Sequence, residues 1–200
     1  MSLFRQATTA TVVAVALGQI GSAPLGLDTE AKAVQITETT DYYDIGGKSV
    51  PALWQDIRER GPRTGSTPWA GHARWDVRWT YDWRRSDAGC KVEQAATSLA
   101  ITYTLPRWAA RDTADEALRL KWDRFALNLK VHEEGHGANG RRAAQRIQSA
   151  LSAIPIQTTC EALAAVVDKT ARAIIDEEAA NDRAYDSSTQ HGLRQGVVLR

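Results

Sequence analysis

The residues of this chain best suited to chemistry are His132-Glu133-Glu134-Gly135-His136. If they lie on a helix, the two imidazoles stand at i and i+4, one turn apart on one face, where a single ion can be gripped from a rigid element. Glu133 then sits beside the first ligand, within reach of water next to the ion, while Glu134 points to solvent. A chance match of this pattern is expected on the order of once in a hundred chains of this length, so context must decide. The chemistry expected of such a set is zinc-assisted hydrolysis. The ion lowers the pKa of water, and Glu133 takes its proton as a carbonyl is attacked, then returns it to the leaving amine.

Catalytic zinc needs three protein ligands and an open position, so a third ligand must come from elsewhere. A histidine six residues after the second is absent, because Arg142 stands there. The candidates are His191, Asp186, Glu161, Glu177 and Glu178, while His72 lies in an early loop. His191 is favoured, since it lies in a polar tail, Tyr185 to Gly196, that has no evident packing role. In that tail Tyr185 is the residue expected to hydrogen-bond a developing oxyanion, and Asp186 the one expected to orient a ligating histidine.

The elements that must position these groups read as α+β. Val34, Ile36, Tyr42, Tyr43 and Ile45 suggest a strand ending at Gly46 and Gly47, followed by a short helix with Pro51 in its first turn and Gly61 with Pro62 at its end. Trp75, Val77, Trp79, Tyr81 and Trp83 alternate with polar residues, as do Leu99, Ile101, Tyr103 and Leu105. These runs predict two half-buried strands paired antiparallel, with Pro106 ending the sheet. Thr113 and Glu116 suggest a capping box. Leu118, Trp122, Phe125 and Leu129 then place both histidines on the buried stripe of a long helix that Pro155 closes. Two histidines on that stripe would strand polar groups in the core without a shared partner, which a metal supplies. Gly135 and Gly137 each weaken a helix interior by roughly 0.5–1 kcal/mol relative to Ala, which makes sense where a substrate or second segment approaches closely. A last helix is expected from Cys160 to about Asn181.

Composition narrows the function classes. The charge of +1 comes from 25 basic and 24 acidic side chains spread along the chain, so no nucleic-acid partner is expected. Seven tryptophans fall mostly at core spacings and give no evidence of a stacking surface. Arg5, the apolar stretch through Val12, Val13, Val15, Ala16 and Leu17, and small residues up to Ala23 read as an export signal over residues 1–23. Residues 24–200 then form one domain, periplasmic or extracellular, without an integral membrane segment. In an exported chain two cysteines, Cys90 and Cys160, favour one disulfide, whose closure of so long a loop contributes about 4 kcal/mol.

Further stretches sharpen this reading: Tyr43-Asp44-Ile45-Gly46-Gly47, Trp75-Asp76-Val77-Arg78-Trp79 with Tyr81, Cys90, Leu105-Pro106, Trp122, Cys160, and Tyr185-Asp186 with Thr189, His191 and Gly192. Together with the histidine motif they resemble the bacterial family of predicted secreted zinc-dependent proteases, catalogued as a domain of unknown function. The resemblance covers most of the chain after the export signal. It implies a zincin-like fold, a small antiparallel sheet packed on the histidine-bearing helix plus a C-terminal helix. It further implies His132, His136 and His191 on zinc and pairing of Cys90 with Cys160. The expected substrate is a peptide or protein. Two rivals stand beside the endopeptidase: a zinc amidase acting on cell-wall peptides, and a non-catalytic protein whose zinc, closed by four protein ligands, staples the helix to the tail.

Overall fold

The computed structural model describes residues 33–200; the expected export signal, residues 1–23, lies outside the described residues. Strand β1, Gln35–Ile45, leads into helix α1, Val50–Arg60, whose cap Ser49 accepts from the Ala52 N–H and whose first turn holds Pro51. A minimal hairpin, β2 (Arg63–Thr64) and β3 (Thr67–Pro68), turns through Gly65. The long strands β4, His72–Ser86, and β5, Gly89–Trp108, then form an antiparallel hairpin.

The sheet is mixed rather than wholly antiparallel. Its order is β1-β5-β4, with β5 central and β1 running parallel to it from Gln35↔Ser98 to Ile45↔Trp108. Parallel partners need a long crossover, which α1, the small hairpin and β4 supply here. Nearly every side chain of β1 is exposed, so its sequence held no apolar alternation to reveal its neighbour. Pro106 does not end the sheet either, since it pairs with Tyr43. It lies beyond the last β4 partner, Thr104, where β5 has become an edge on that side and tolerates a proline. Trp75, Val77 and Trp79 face the core as expected, but a bulge at Asp82/Trp83 leaves Trp83 outside it.

Helix α2, Glu116–Ser152, crosses the inner face of β4 and β5 for 37 residues. Its cap is Asp115, which accepts from the Leu118 N–H, rather than Thr113, which lies in a preceding 3-10 turn. Gly137 sits against Tyr103 and Gly140 against Trp75, so α2 approaches the sheet where larger residues would collide. Helix α3, Cys160–Thr189, packs along α2 and runs two turns further than expected, taking Tyr185 and Asp186 into helical structure. Its inward stripe changes from Leu163, Val167, Ala171, Ile174 and Ile175 to Glu178 and Asp182, both buried. Hydrophobic periodicity is blind to that polar continuation. Three successive residues with positive φ, Gln190, His191 and Gly192, then turn the chain back over the helix pair.

Cys90 and Cys160 form a disulfide with Cα atoms 5.1 Å apart, tying the β4–β5 hairpin to the start of α3. Gln157 reinforces the tie by exchanging two backbone hydrogen bonds of 2.8 Å with Cys90. No helix among the described residues is long and apolar enough to cross a membrane.

Candidate metal centre

His132, Glu133 and His136 lie on the buried face of α2, where the apolar stripe of Phe125 and Leu129 gives way to polar groups. Glu134 faces solvent and reaches Lys130 at 3.7 Å, as the helical spacing required. Opposite the imidazoles, α3 presents Asp182, Tyr185 and Asp186 one turn apart.

Each imidazole uses its two nitrogens differently. His132 Nδ1 is 2.8 Å from Gln195 Oε1, and His136 Nδ1 is 3.3 Å from Asp182 Oδ1. Both Nε2 atoms face one carboxylate oxygen, Asp186 Oδ1, at 3.4 Å and 3.1 Å. With Nδ1–H donated to Gln195 and Asp182, the two Nε2 lone pairs and a carboxylate oxygen converge as three acceptors without a donor. That arrangement calls for a cation or for extra protons. The ligand atoms of His132, His136 and Asp186 all lie within 4.8 Å of one another, a spread that one small ion can bridge.

Electrostatics express the same convergence. Burial disfavours a charged His136, but hydrogen bonds to Asp182 and Asp186 outweigh it and push its pKa up. Burial likewise opposes the charge of Asp186, yet hydrogen bonds from His132 and His136 and the charges of His136 and His191 hold its carboxyl well below the usual range. Glu133 is different. Burial pushes it up to about 7, against the lowering influence of both histidines and of a hydrogen bond from the Ala73 backbone. A carboxylate poised near neutrality suits a group that must both take and return a proton.

These groups form the floor of a cleft of about 210 Å³. Trp54, Trp69, Leu129 and Val197 form its apolar side, while His72 and His191 complete its polar side. Tyr43 pins one rim, its hydroxyl donating to Ala70 O at 2.7 Å, and burial followed by the charge of Glu133 raises its pKa. Burial, then the charges of His136 and Arg74, lower the pKa of His72.

The structure thus brings His132, Glu133, His136 and Asp186 together. His191 flanks the cluster: its Nδ1 is 3.4 Å from Asp186 Oδ1, and its ring packs on Trp69 at 4.8 Å. Tyr185 lies behind the imidazoles, stacked on His132 at 5.1 Å, with its hydroxyl 3.3 Å from His132 O. Glu177 and Glu178 pair with Arg146, and Glu161 stands in the first turn of α3. Asp182 and Gln195 escaped the sequence reading. Asp182 stands four residues before Asp186, a helical repeat that would have marked it had α3 been carried further.

Fold and site together define an α+β protein with two histidines and an aspartate converging at the floor of a cleft. The chain belongs to a bacterial family of proteins of unknown function, DUF922, whose family model matches residues 40–192. Comparison with curated proteins and with solved structures finds no match.

Proposed function

We propose that this protein is an exported zinc-dependent hydrolase, a metallopeptidase in which His132, His136 and Asp186 hold the ion and Glu133 is the general base. The observation that carries the reading is the meeting of two Nε2 atoms and one carboxylate oxygen in a cleft beside a buried glutamate. A divalent cation held there by His132, His136 and Asp186 would supply Lewis acidity toward a carbonyl and a water. Glu133 accepts the proton of that water as it attacks and passes it to the departing amine. Gln195 and Asp182 hold the imidazole tautomers that leave Nε2 free, and Tyr185 keeps His132 in plane by stacking. Asp186 takes the third place because it reaches both Nε2 atoms, with His191 flanking it. A zincin-like relation rests on the helix-borne histidine pair and on β4, an edge strand whose first residues line the cleft. Export is supported by the disulfide, a bond at home in oxidising compartments, and by the N-terminal pattern of Arg5 and apolar residues.

The nearness of His191 to Asp186 favours a second reading, a closed site of four protein ligands that only ties α2 to the C-terminal turn. Metal analysis and a peptide-library digest that includes cell-wall peptides, with and without chelator, separate the two. Hydrolysis is expected from the zinc-loaded protein, and Glu133→Gln should keep its zinc but lose turnover. Cleavage by that variant would remove the general-base role. A zinc-loaded wild type that cleaves nothing would leave the structural reading. His191→Ala with unchanged zinc affinity would confine the ligands to the other three.

A further inference from the structure

The segment from Leu193 to Arg200 is a wall with two sides. Val197 lines the cleft, whereas Leu193, Arg194 and Val198 border a separate groove of about 480 Å³ over the first turns of α2. Helix α2 contributes Leu120, Lys121 and Arg124 to it. No acidic residue lines this groove. Among the described residues, Lys121, Arg124 and Arg194 have no ion-pair partner, and Arg194 donates only to Ser188 O at 3.2 Å. Arg107, Arg111, Arg141, Arg146 and Arg172, by contrast, each hold a carboxylate. With Arg200 also lining it, the groove gathers four basic side chains and no acidic one, a local excess in a chain of 25 basic and 24 acidic side chains.

We propose that the groove binds an acidic peptide segment with interspersed apolar side chains. Arginine forks match carboxylates bidentately, which supplies the polar half of the recognition. The apolar half is Leu120 and Leu193, 59% and 54% exposed, whose carbon surface a bare polyanion would leave wet. The site is concave, so an extended chain can enter it and the face of a bilayer cannot. The proposal stands apart from the hydrolytic reading, since it needs neither metal nor turnover.

Fluorescence anisotropy with the full chain and a labelled peptide of alternating glutamate and leucine tests it. Saturable one-to-one binding is expected, weakening by about tenfold or more when Lys121→Glu and Arg124→Glu are combined, and weakening with added salt. Both positions are exposed, and unfolding curves matching wild type would confirm that the variant folds. Leu120→Ser should weaken binding severalfold, and a lysine–leucine peptide should not bind. Absence of saturable binding, or equal affinity of the double variant, overturns the proposal. So does a preference for polyphosphate or anionic vesicles over the peptide.

Discussion

Asp182 shows how much one buried carboxylate can organise. It is fully buried, accepts from Trp75 Nε1 at 2.9 Å and from the Asn139 side-chain amide, and faces His136 Nδ1. Trp75 belongs to β4 and Asn139 to α2, so one side chain of α3 joins all three layers around the imidazole. Partners of this kind fix the ring and raise its basicity as a ligand. Asp182→Asn keeps the volume but puts a donor among donors, and zinc affinity should fall about 10–100-fold. Competition against a chromogenic chelator measures this, and an unchanged affinity would strip Asp182 of the role.

At the scale of elements, the spacing between α2 and α3 is set by a glycine. A Cβ on Gly135 would run into the Tyr185 ring, the same ring that stacks on His132. Alanine is the better helix former by about 1 kcal/mol, whereas overpacking costs about 1–3 kcal/mol, so packing should win. Gly135→Ala is therefore expected to lower stability in urea and to weaken metal binding with it; a stabilised variant would show that the helices can part freely. Further along the pair, Glu178 is buried between Arg142 at 3.3 Å and Arg146 at 2.8 Å. Burial raises its pKa, but the Asn181 and Arg146 hydrogen bonds and both arginine charges win, so the net shift is downward. Its contribution is then fully present above the unfolded value of 4.5 and is lost as pH falls through the lower folded value. Because both arginines are roughly half exposed, Glu178→Gln should cost only about 1–2 kcal/mol at pH 7. Denaturation at several pH values should show that gap closing in acid, and a gap that widens would contradict the sign.

For the whole molecule, the disulfide is the longest covalent constraint, spanning a sequence separation of 70 and fastening the far end of the hairpin to the helix pair. Opening it by Cys90→Ser with Cys160→Ser should cost about 4 kcal/mol and lower Tm by roughly 10 °C. Calorimetry would register this, and a shift of only a degree or two would mean that the Gln157 backbone bonds hold the junction unaided. The cleft lies at the middle of α2, around His132 to His136, whereas the tie lies beyond the helix's C-terminal end. The walls of the cleft come from α1, the start of β4 and the residues before it, α2, α3 and the C-terminal segment, so its shape depends on the complete fold.

Local periodicity alone was enough to place the histidine pair on one face of a buried helix, to put Glu133 beside it and Glu134 in solvent, and to pair β4 with β5. Those features depend on residues close in sequence or on alternation that burial imposes. Tertiary structure decided the rest. The parallel pairing of β1 joins residues more than sixty positions apart, between strands of which one is almost wholly exposed. The last two turns of α3 carry polar groups inward, because there the partner across the interface is an imidazole pair rather than a hydrophobic core. Asp186 and Gln195 come to the histidines from positions some fifty to sixty residues away, and only helix packing and the left-handed turn after Thr189 bring them within reach.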